Sequence, residues 1–262
     1  MSPIGVPLDS KKINDLLKTR YWRVNVVDST GSTQVDLAKS VRNGQANSGD
    51  VLVTEFQSAG RGRLDRTFVT LPQTALLFSF YVNPNNRDER WGWIPLLVGQ
   101  SVCKAISESF DIGHGVKMKW PNDILLNGKK VAGLLAERLE TDDGAGVVIG
   151  IGLNVSASQE ELPIEGATSL EIEGFHEVDR ERLLVAILTS FQEYLVRWES
   201  NDPTLLSEYC ALSATIGRKV SIELPGNENV TAIASSIDPT GALVLDNGRH
   251  ITVGDIVHIV SS

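Results

Sequence analysis

The chain has 262 residues, enough for one large domain with a small appendage or for two modest domains. Its 42% apolar and 22% charged residues are the composition of an ordinary globular protein, and no run approaches the ~20 apolar residues of a membrane helix. A formal net charge of −9 argues against a general nucleic-acid binder. With no basic-then-apolar leader at its start, a cytoplasmic protein with no membrane partner is expected. Cys103 and Cys210 stand far apart in apolar helical contexts, with no CxxC pair and no His cluster that would suit zinc, so both are expected as buried thiols.

In chain order, residues 10–20 (SKKINDLLKTR) set Ile13, Leu16 and Leu17 at helical spacing behind an Asp9 or Ser10 cap, which predicts a short amphipathic helix. That single helix is too little for a DNA-reading helix-turn-helix, so no DNA partner is expected. WRVNVVDS alternates as a strand does, and GSTQVDLAKSVRNG reads as a helix capped by a serine or threonine and stopped by Gly44. VLVTEF predicts a buried strand, and a long glycine and arginine loop follows it. ALLFSFYV predicts another strand. WGWIPLLVGQSVCKAISESF then has helical periodicity over about five turns.

The middle of the chain reads as hairpins. VKMKW precedes ILLNGKKVAGLLAERL, where Asn127-Gly128 divides two apolar runs, a strong hairpin signal. GVVIGIGLNV predicts an apolar strand whose glycines at 150 and 152 let something approach the backbone closely. Two helices follow, RERLLVAILTSFQEYLVRWE and PTLLSEYCALS, the second with Pro203 in its first turn. From Thr215 the texture changes to five short strands divided by PGN, PTG and DNG turn signals, which predicts a small SH3-like β-barrel. Two domains are therefore expected, residues 1–214 and 215–262.

The loop after VLVTEF is Gly60-Arg61-Gly62-Arg63-Leu64-Asp65-Arg66, three arginines in seven residues of an acidic chain. No Gly-Lys-Ser/Thr follows to make a Walker A loop, and the last glycine of a dinucleotide fingerprint would fall at Asp65. Glycine permits close backbone approach, and guanidinium forks grip carboxylate or phosphate oxygens at two points. The loop by itself reads as a small-anion site, a nucleic-acid patch or a solvated loop. Three other stretches bear on the choice. GSTQ (31–34) stands at a strand-to-helix junction, where exposed N–H groups and hydroxyls favour an anion or polar ligand. KWPND (119–123) leads into the hairpin, with Lys129 and Lys130 after its turn, and GIGLNV carries two glycines and Asn154.

Taken together and in this order, Ser-Thr-polar, GRGRxxR, KWPND, Lys-x-Ala-Gly and GxGxN closely resemble the biotin protein ligases, over roughly residues 27–155, and the barrel-like tail fits that family as well. The resemblance is to the short type without an N-terminal winged helix, so no repressor function is expected. It implies an α+β fold, a mixed and largely antiparallel sheet with packed helices followed by the SH3-like unit. It implies ATP-dependent activation of biotin to biotinyl-5′-AMP with Mg²⁺, then transfer to a lysine on the biotin carboxyl carrier domain of an acyl-CoA carboxylase.

Residue by residue, the resemblance implies that biotin is held by Ser32, Thr33, Gln34, Gln57, Gly60, Arg61, Gly62, Arg63, Lys130, Gly133, Leu135 and Gly152. The nucleotide falls to Arg63, Arg66, Phe68, Lys119, Asn122 and Asn154, and catalysis to Lys130, Arg63 and Asp123. For Asp123 three roles stand open: orienting the incoming amine, holding the metal, or capping the turn. Two positions depart from the family pattern, Asp65 where a glycine is usual and Phe68 where a tryptophan is usual. Asp65 brings a carboxylate toward the phosphate site, and Phe68 offers adenine less stacking surface than an indole. A lipoate or octanoate ligase would carry an arginine-glycine-glycine-histidine pattern that is absent here. A sensor with a degenerate site fits poorly with the Lys130 and Arg63 that are present.

Overall fold

The computed structural model of the chain describes residues 6–63, 66–85, 88–111, 115–141, 144–224, 226 and 228–259; Asp65 lies outside these. The described helices are α1 (Ser10–Leu16), α2 (Thr33–Arg42), α3 (Ile94–Phe110), α4 (Arg180–Glu199) and α5 (Thr204–Leu212), with a 3-10 turn at Asp88–Trp93. The first sheet holds β1 (Arg23–Val27), β2 (Asp50–Thr54), β3 (Ala75–Val82), β4 (Val116–Lys119), β5 (Asp123–Leu126), β6 (Lys129–Thr141) and β7 (Gly144–Asn154), in spatial order β1-β2-β3-β7-β6-β5-β4. Only β1 and β2 pair in parallel, and α2 connects them. All other neighbours are antiparallel, so the sheet is mixed and largely antiparallel as the sequence led one to expect.

β3 is buried along its whole length, which is why ALLFSFYV shows an unbroken apolar run rather than alternation. Its side chains still alternate in space. Leu76, Phe78, Phe80 and Val82 join the core beneath α3 and α4, while Tyr81 packs with Leu37, Ala38 and Val41 of α2 on the opposite face. Phe80 sits 5.4 Å from Trp22 and 4.9 Å from Phe191, ring centre to ring centre. Truncating it to alanine would destabilise the fold by about 3–5 kcal/mol.

Local chemistry sets the element ends. Asp9 and Asp179 cap α1 and α4, each side chain accepting a backbone N–H three residues on. The stretch read as one helix from Trp91 begins as 3-10 and becomes α only at Ile94, because Pro95 restricts the residue before it and has no N–H to give. Asn127 (φ 51°) and Gly128 (φ 83°) both take the positive φ that a two-residue hairpin between β5 and β6 requires.

A latch holds the N-terminal segment down. Arg180, buried at the start of α4, donates to Glu55 Oε2 at 2.7 Å and Oε1 at 3.2 Å, and also to the carbonyls of Ala75 and Val6. Glu55 Oε1 accepts Leu8 N–H at 2.6 Å, and Glu181 accepts Asp9 N–H and pairs with Lys12.

The second sheet holds the five strands foreseen after Thr215: β8 (Lys219–Leu224), β9 (Glu228–Ile237), β10 (Leu243–Leu245), β11 (His250–Ile251) and β12 (Asp255–His258). Their order is β11-β10-β9-β8-β12, all antiparallel. Among the described residues no ladder joins β11 to β12, so the sheet is open rather than a closed barrel; β11 is only two residues long and offers little to close on. It meets the first unit where Ala214 N–H donates to Met118 O at 2.7 Å and Trp93 Nε1 donates to Asp238 O at 2.9 Å.

Cys103 is buried in α3, and burial pushes its thiol pKa up; Cys210, expected buried, is only half-buried near the end of the short helix α5. No described helix is long and apolar enough to cross a membrane.

Candidate active site

β3, β7 and β6 run side by side through the middle of the sheet, and their register brings glycines together. Gly150 lies between Ser79 and Leu135, and Gly152 between Leu77 and Gly133. On the α2 side the backbone is therefore bare at three neighbouring positions. A cavity of about 600 Å³ stands over this floor, large enough for a ligand of drug size.

The N-terminus of α2 makes one wall. Thr33 donates both its N–H (2.8 Å) and its hydroxyl (3.0 Å) to Gln57 Oε1, and its hydroxyl lies 2.8 Å from Ser79 Oγ. Gln34 Nε2 donates to Val148 O at 3.0 Å. Gln57 reaches this corner because the segment after β2 runs beside Thr30 as a parallel bridge. Ser32 occupies the capping position without a side-chain cap bond, and among the described residues its buried Oγ finds no hydrogen-bond partner. An unsatisfied buried hydroxyl costs about 1–3 kcal/mol, so Ser32 is a place where a polar ligand gains what the empty protein lacks.

The arginine loop closes as a narrow hairpin. Phe68 N–H donates to Gly60 O at 2.9 Å and Gly62 N–H to Arg66 O at 2.7 Å. Gly60 itself does not line the cavity: a side chain there would come within 2.3 Å of Phe68 O, so its glycine serves the closure of the hairpin. Arg61, Gly62, Arg63 and Arg66 do line it. Arg63 donates to Asn122 Oδ1 and to Gly254 O, each at 3.3 Å. The Phe68 ring lies directly on the floor, where a Cβ on Gly152 would sit 2.5 Å from two ring carbons and one on Gly133 3.9 Å from a third.

Opposite stands the hairpin β5–β6. Lys130 Nζ lies 2.5 Å from Asp123 Oδ1, both half-buried. The Lys130 backbone is clamped, its N–H donating to Gly166 O and its carbonyl accepting from Thr168 N–H. Asn122 exchanges two hydrogen bonds with Leu134, Nδ2 to O at 2.8 Å and Leu134 N–H to Asn122 O at 2.9 Å, which straps the KWPND turn to β6.

Lys119, Gly133 and Leu135 also line the cavity. Asn154 does not, although it shares a strand face with Gly150 and Gly152 by the period of two. Its amide nitrogen is buried and donates to Thr168 O at 3.0 Å, which ties β7 to the 167–170 segment.

Several lining residues had escaped sequence reasoning. Ser79 is the one small polar residue inside an apolar run, while Gly150 is marked with Gly152 for close approach but not assigned to biotin. Ile164, Glu165 and Gly166, and Ser221, Glu223, Asn229, Ile256, Val257 and His258 of the second sheet, carried no local signal. In total the cavity collects Arg61, Arg63, Arg66, Lys119 and Lys130 against Asp123, Glu165 and Glu223, a local positive field on a chain of formal charge −9. Among the described residues no group of three or more His, Cys, Asp or Glu is placed to hold a metal.

Fold and site together define a ligase architecture in which one cavity joins a glycine floor to a cluster of cations. The chain belongs to the biotin/lipoate A/B protein ligase family: that family's model matches residues 26–154, and the model of the biotin protein ligase C terminal domain matches residues 215–259. The chain is similar to the biotin–acetyl-CoA-carboxylase ligase of Mycobacterium tuberculosis, 37% identical over 97% of this chain and 96% of that protein. It is 30% identical to the corresponding ligase of Paracoccus denitrificans over 83% of this chain and 90% of that one. Its fold is similar to that of the Aquifex aeolicus biotin protein ligase solved in complex with biotin and ATP, with 28% identity, a TM-score of 0.70, and coverage of 91% of this chain and 99% of that one.

Proposed function

We propose that this chain is a biotin protein ligase that activates biotin with ATP to biotinyl-5′-AMP and passes the biotinyl group to a carrier lysine, on the biotin carboxyl carrier domain of an acyl-CoA carboxylase. The observation that carries this reading is the cavity itself, which joins a backbone-only floor and the unsatisfied Ser32 hydroxyl at one end to Arg63 and the Lys130–Asp123 pair at the other.

In this reading the fused rings of biotin lie over Gly150 and against the Phe68 ring that covers Gly152, with the polar ring toward Ser32, Thr33, Gln34 and Gln57. Its carboxylate points to Lys130 and Arg63. The nucleotide lies on the side of Arg63, Arg66, Lys119 and Asn122. Phe68, against the floor, is then a wall for biotin as much as a surface for adenine.

The carboxylate must attack the α-phosphorus of ATP and displace pyrophosphate as the α–β phosphoanhydride bond breaks, so two anions approach and further negative charge develops between them. Lys130 and Arg63, fixed by Asp123, Asn122 and Gly254, supply positive charge without reorganising, usually the largest catalytic term. No enzyme nucleophile is needed. The mixed anhydride is sensitive to water, and the arginine loop above it limits that access. The carrier amine then attacks the acyl carbon and AMP leaves, with Asp123, beside Lys130, placed to orient the amine.

Mg²⁺ fits this site as an ion held mainly by phosphate oxygens, with Asp123 as the protein carboxylate at hand, since magnesium is commonly bound by one or two carboxylates and the substrate. When bound, the ion neutralises charge on the triphosphate. The test is biotin-dependent exchange of pyrophosphate into ATP, run beside lipoate and octanoate. Exchange with biotin alone is expected; exchange with lipoate or octanoate in its place, or with no acid at all, would reject the reading.

A further inference from the structure

The second sheet lines the cavity from β8, β9 and β12, and β12 reaches two segments the proposed mechanism uses. Just ahead of β12 the Gly254 carbonyl accepts from both terminal nitrogens of Arg63. At the other end of β12, His258 Nε2 lies 3.2 Å from Thr215 Oγ1. Thr215 is wholly buried, and its Oγ1 accepts Trp120 N–H at 3.1 Å. Trp120 opens the turn that presents Asn122 to Arg63 and Asp123 to Lys130.

Thr215 Oγ1 accepts from Trp120 and shares a second hydrogen bond with His258 Nε2, as donor or as acceptor according to the tautomer of the ring. Burial first, then the positive charges of Lys119 and Arg218, push the His258 pKa down to about 4, so the ring is neutral at neutral pH.

We infer that His258 is a positioning residue for the ATP half of the reaction, acting through Thr215 on the Trp120–Asp123 turn. The inference rests on the assignment of that turn to the nucleotide side. Upstream, β4 is tied to the domain junction by Ala214 N–H to Met118 O. From Trp120 onward the tie to the junction passes through the Thr215 side chain, and the orientation of that side chain is set by His258. Without the imidazole a buried hydroxyl loses a partner, and the turn that presents Asn122 to Arg63 keeps its two bonds to Leu134 but loses its constraint from the second sheet.

The test uses the full chain and pyrophosphate exchange, with ATP and biotin varied separately and the melting temperature of each variant recorded. His258→Phe, which keeps ring volume but no acceptor, is expected to raise KM for ATP about tenfold while KM for biotin stays within about twofold. His258→Gln, whose amide oxygen reaches the Nε2 position, is expected to restore KM for ATP to within about threefold of wild type. Thr215→Val should reproduce the His258→Phe effect, and the double variant should add little beyond either single one. An unchanged KM for ATP in folded His258→Phe, or a Thr215→Val variant indistinguishable from wild type, overturns the inference. A rise in KM for biotin alone overturns both the inference and the assignment of the turn to the nucleotide. If His258→Phe does not fold, His258→Gln is compared with His258→Asn, whose oxygen falls short of Thr215; equal KM for ATP in that pair overturns the inference as well.

Discussion

Replacing Gly152 with alanine tests the floor of the cavity most directly. Gly152 does not sit in the left-handed region, so the substitution brings no backbone strain and its whole effect is steric. The new methyl would stand 2.5 Å from two carbons of the Phe68 ring, where ordinary contact is about 3.5–4.0 Å, so the ring has to retreat by about 1 Å. Phe68 lies on a loop and can give way, which keeps the change in folding stability small. The retreating ring moves into the space proposed for biotin, whose rigid fused rings have no such freedom. Overpacking of one methyl against a fixed surface costs about 1–3 kcal/mol, which translates to roughly 5- to 150-fold in affinity. KM for biotin in pyrophosphate exchange should therefore rise by that factor, calorimetric titration with biotin should weaken in step, and kcat should fall far less, because Lys130 and Arg63 are untouched. Wild-type affinity for biotin in a folded Gly152→Ala protein would refute the placement of biotin on the glycine floor.

Lys130→Ala removes a half-buried charge from an otherwise intact hairpin, so the fold should persist while adenylate formation drops by about 10²–10³, measured as single-turnover biotinyl-AMP; near-normal rates would strike Lys130 from the mechanism. Arg180→Met strands the Glu55 carboxylate in the interior and should lower urea-unfolding stability by about 3–5 kcal/mol at pH 7, and a loss below about 1 kcal/mol would show the pair to be structurally incidental. The Asp202 carboxyl accepts from the Thr204 hydroxyl, the Thr204 N–H and Arg197, and these hold its pKa down at about 2. A depressed folded-state pKa stabilises above the ordinary value near 3.8 and is lost as pH falls through 2, so the melting-temperature deficit of Asp202→Asn should be present at pH 6 and gone by pH 2. A deficit that persists at pH 2 would assign it to something other than this carboxylate.

The secondary structure was legible because each element carries its own signal. Asn127-Gly128 announces the hairpin, and the change of texture at Thr215 announces the five strands. What was hidden depends on pairings that no local pattern encodes. Nothing in Glu55 or Arg180 says that they meet across 125 residues, and nothing in His258 points to Thr215, 43 residues away. Phe68 could be read as an aromatic near the nucleotide, but the hairpin closure at Gly60 is what turns its ring onto Gly152. Asn154 misled for a related reason: its strand face was right, and the Thr168 carbonyl that claims its amide arrives from a loop with no regular pattern.

The N-terminal latch has a mechanical consequence. Val6 and Leu8 hang on Arg180 and Glu55, and Glu55 lies one residue past β2 and two before Gln57 at the cavity wall. A load applied at residue 6 passes through Arg180 to Glu55 at the root of the arginine loop and, by the same side chain, to Ala75 at the start of β3. The segment is thus a handle on the cavity, and cargo attached there would tug on the acid-binding corner, whereas cargo beyond β12 would pull on the opposite rim.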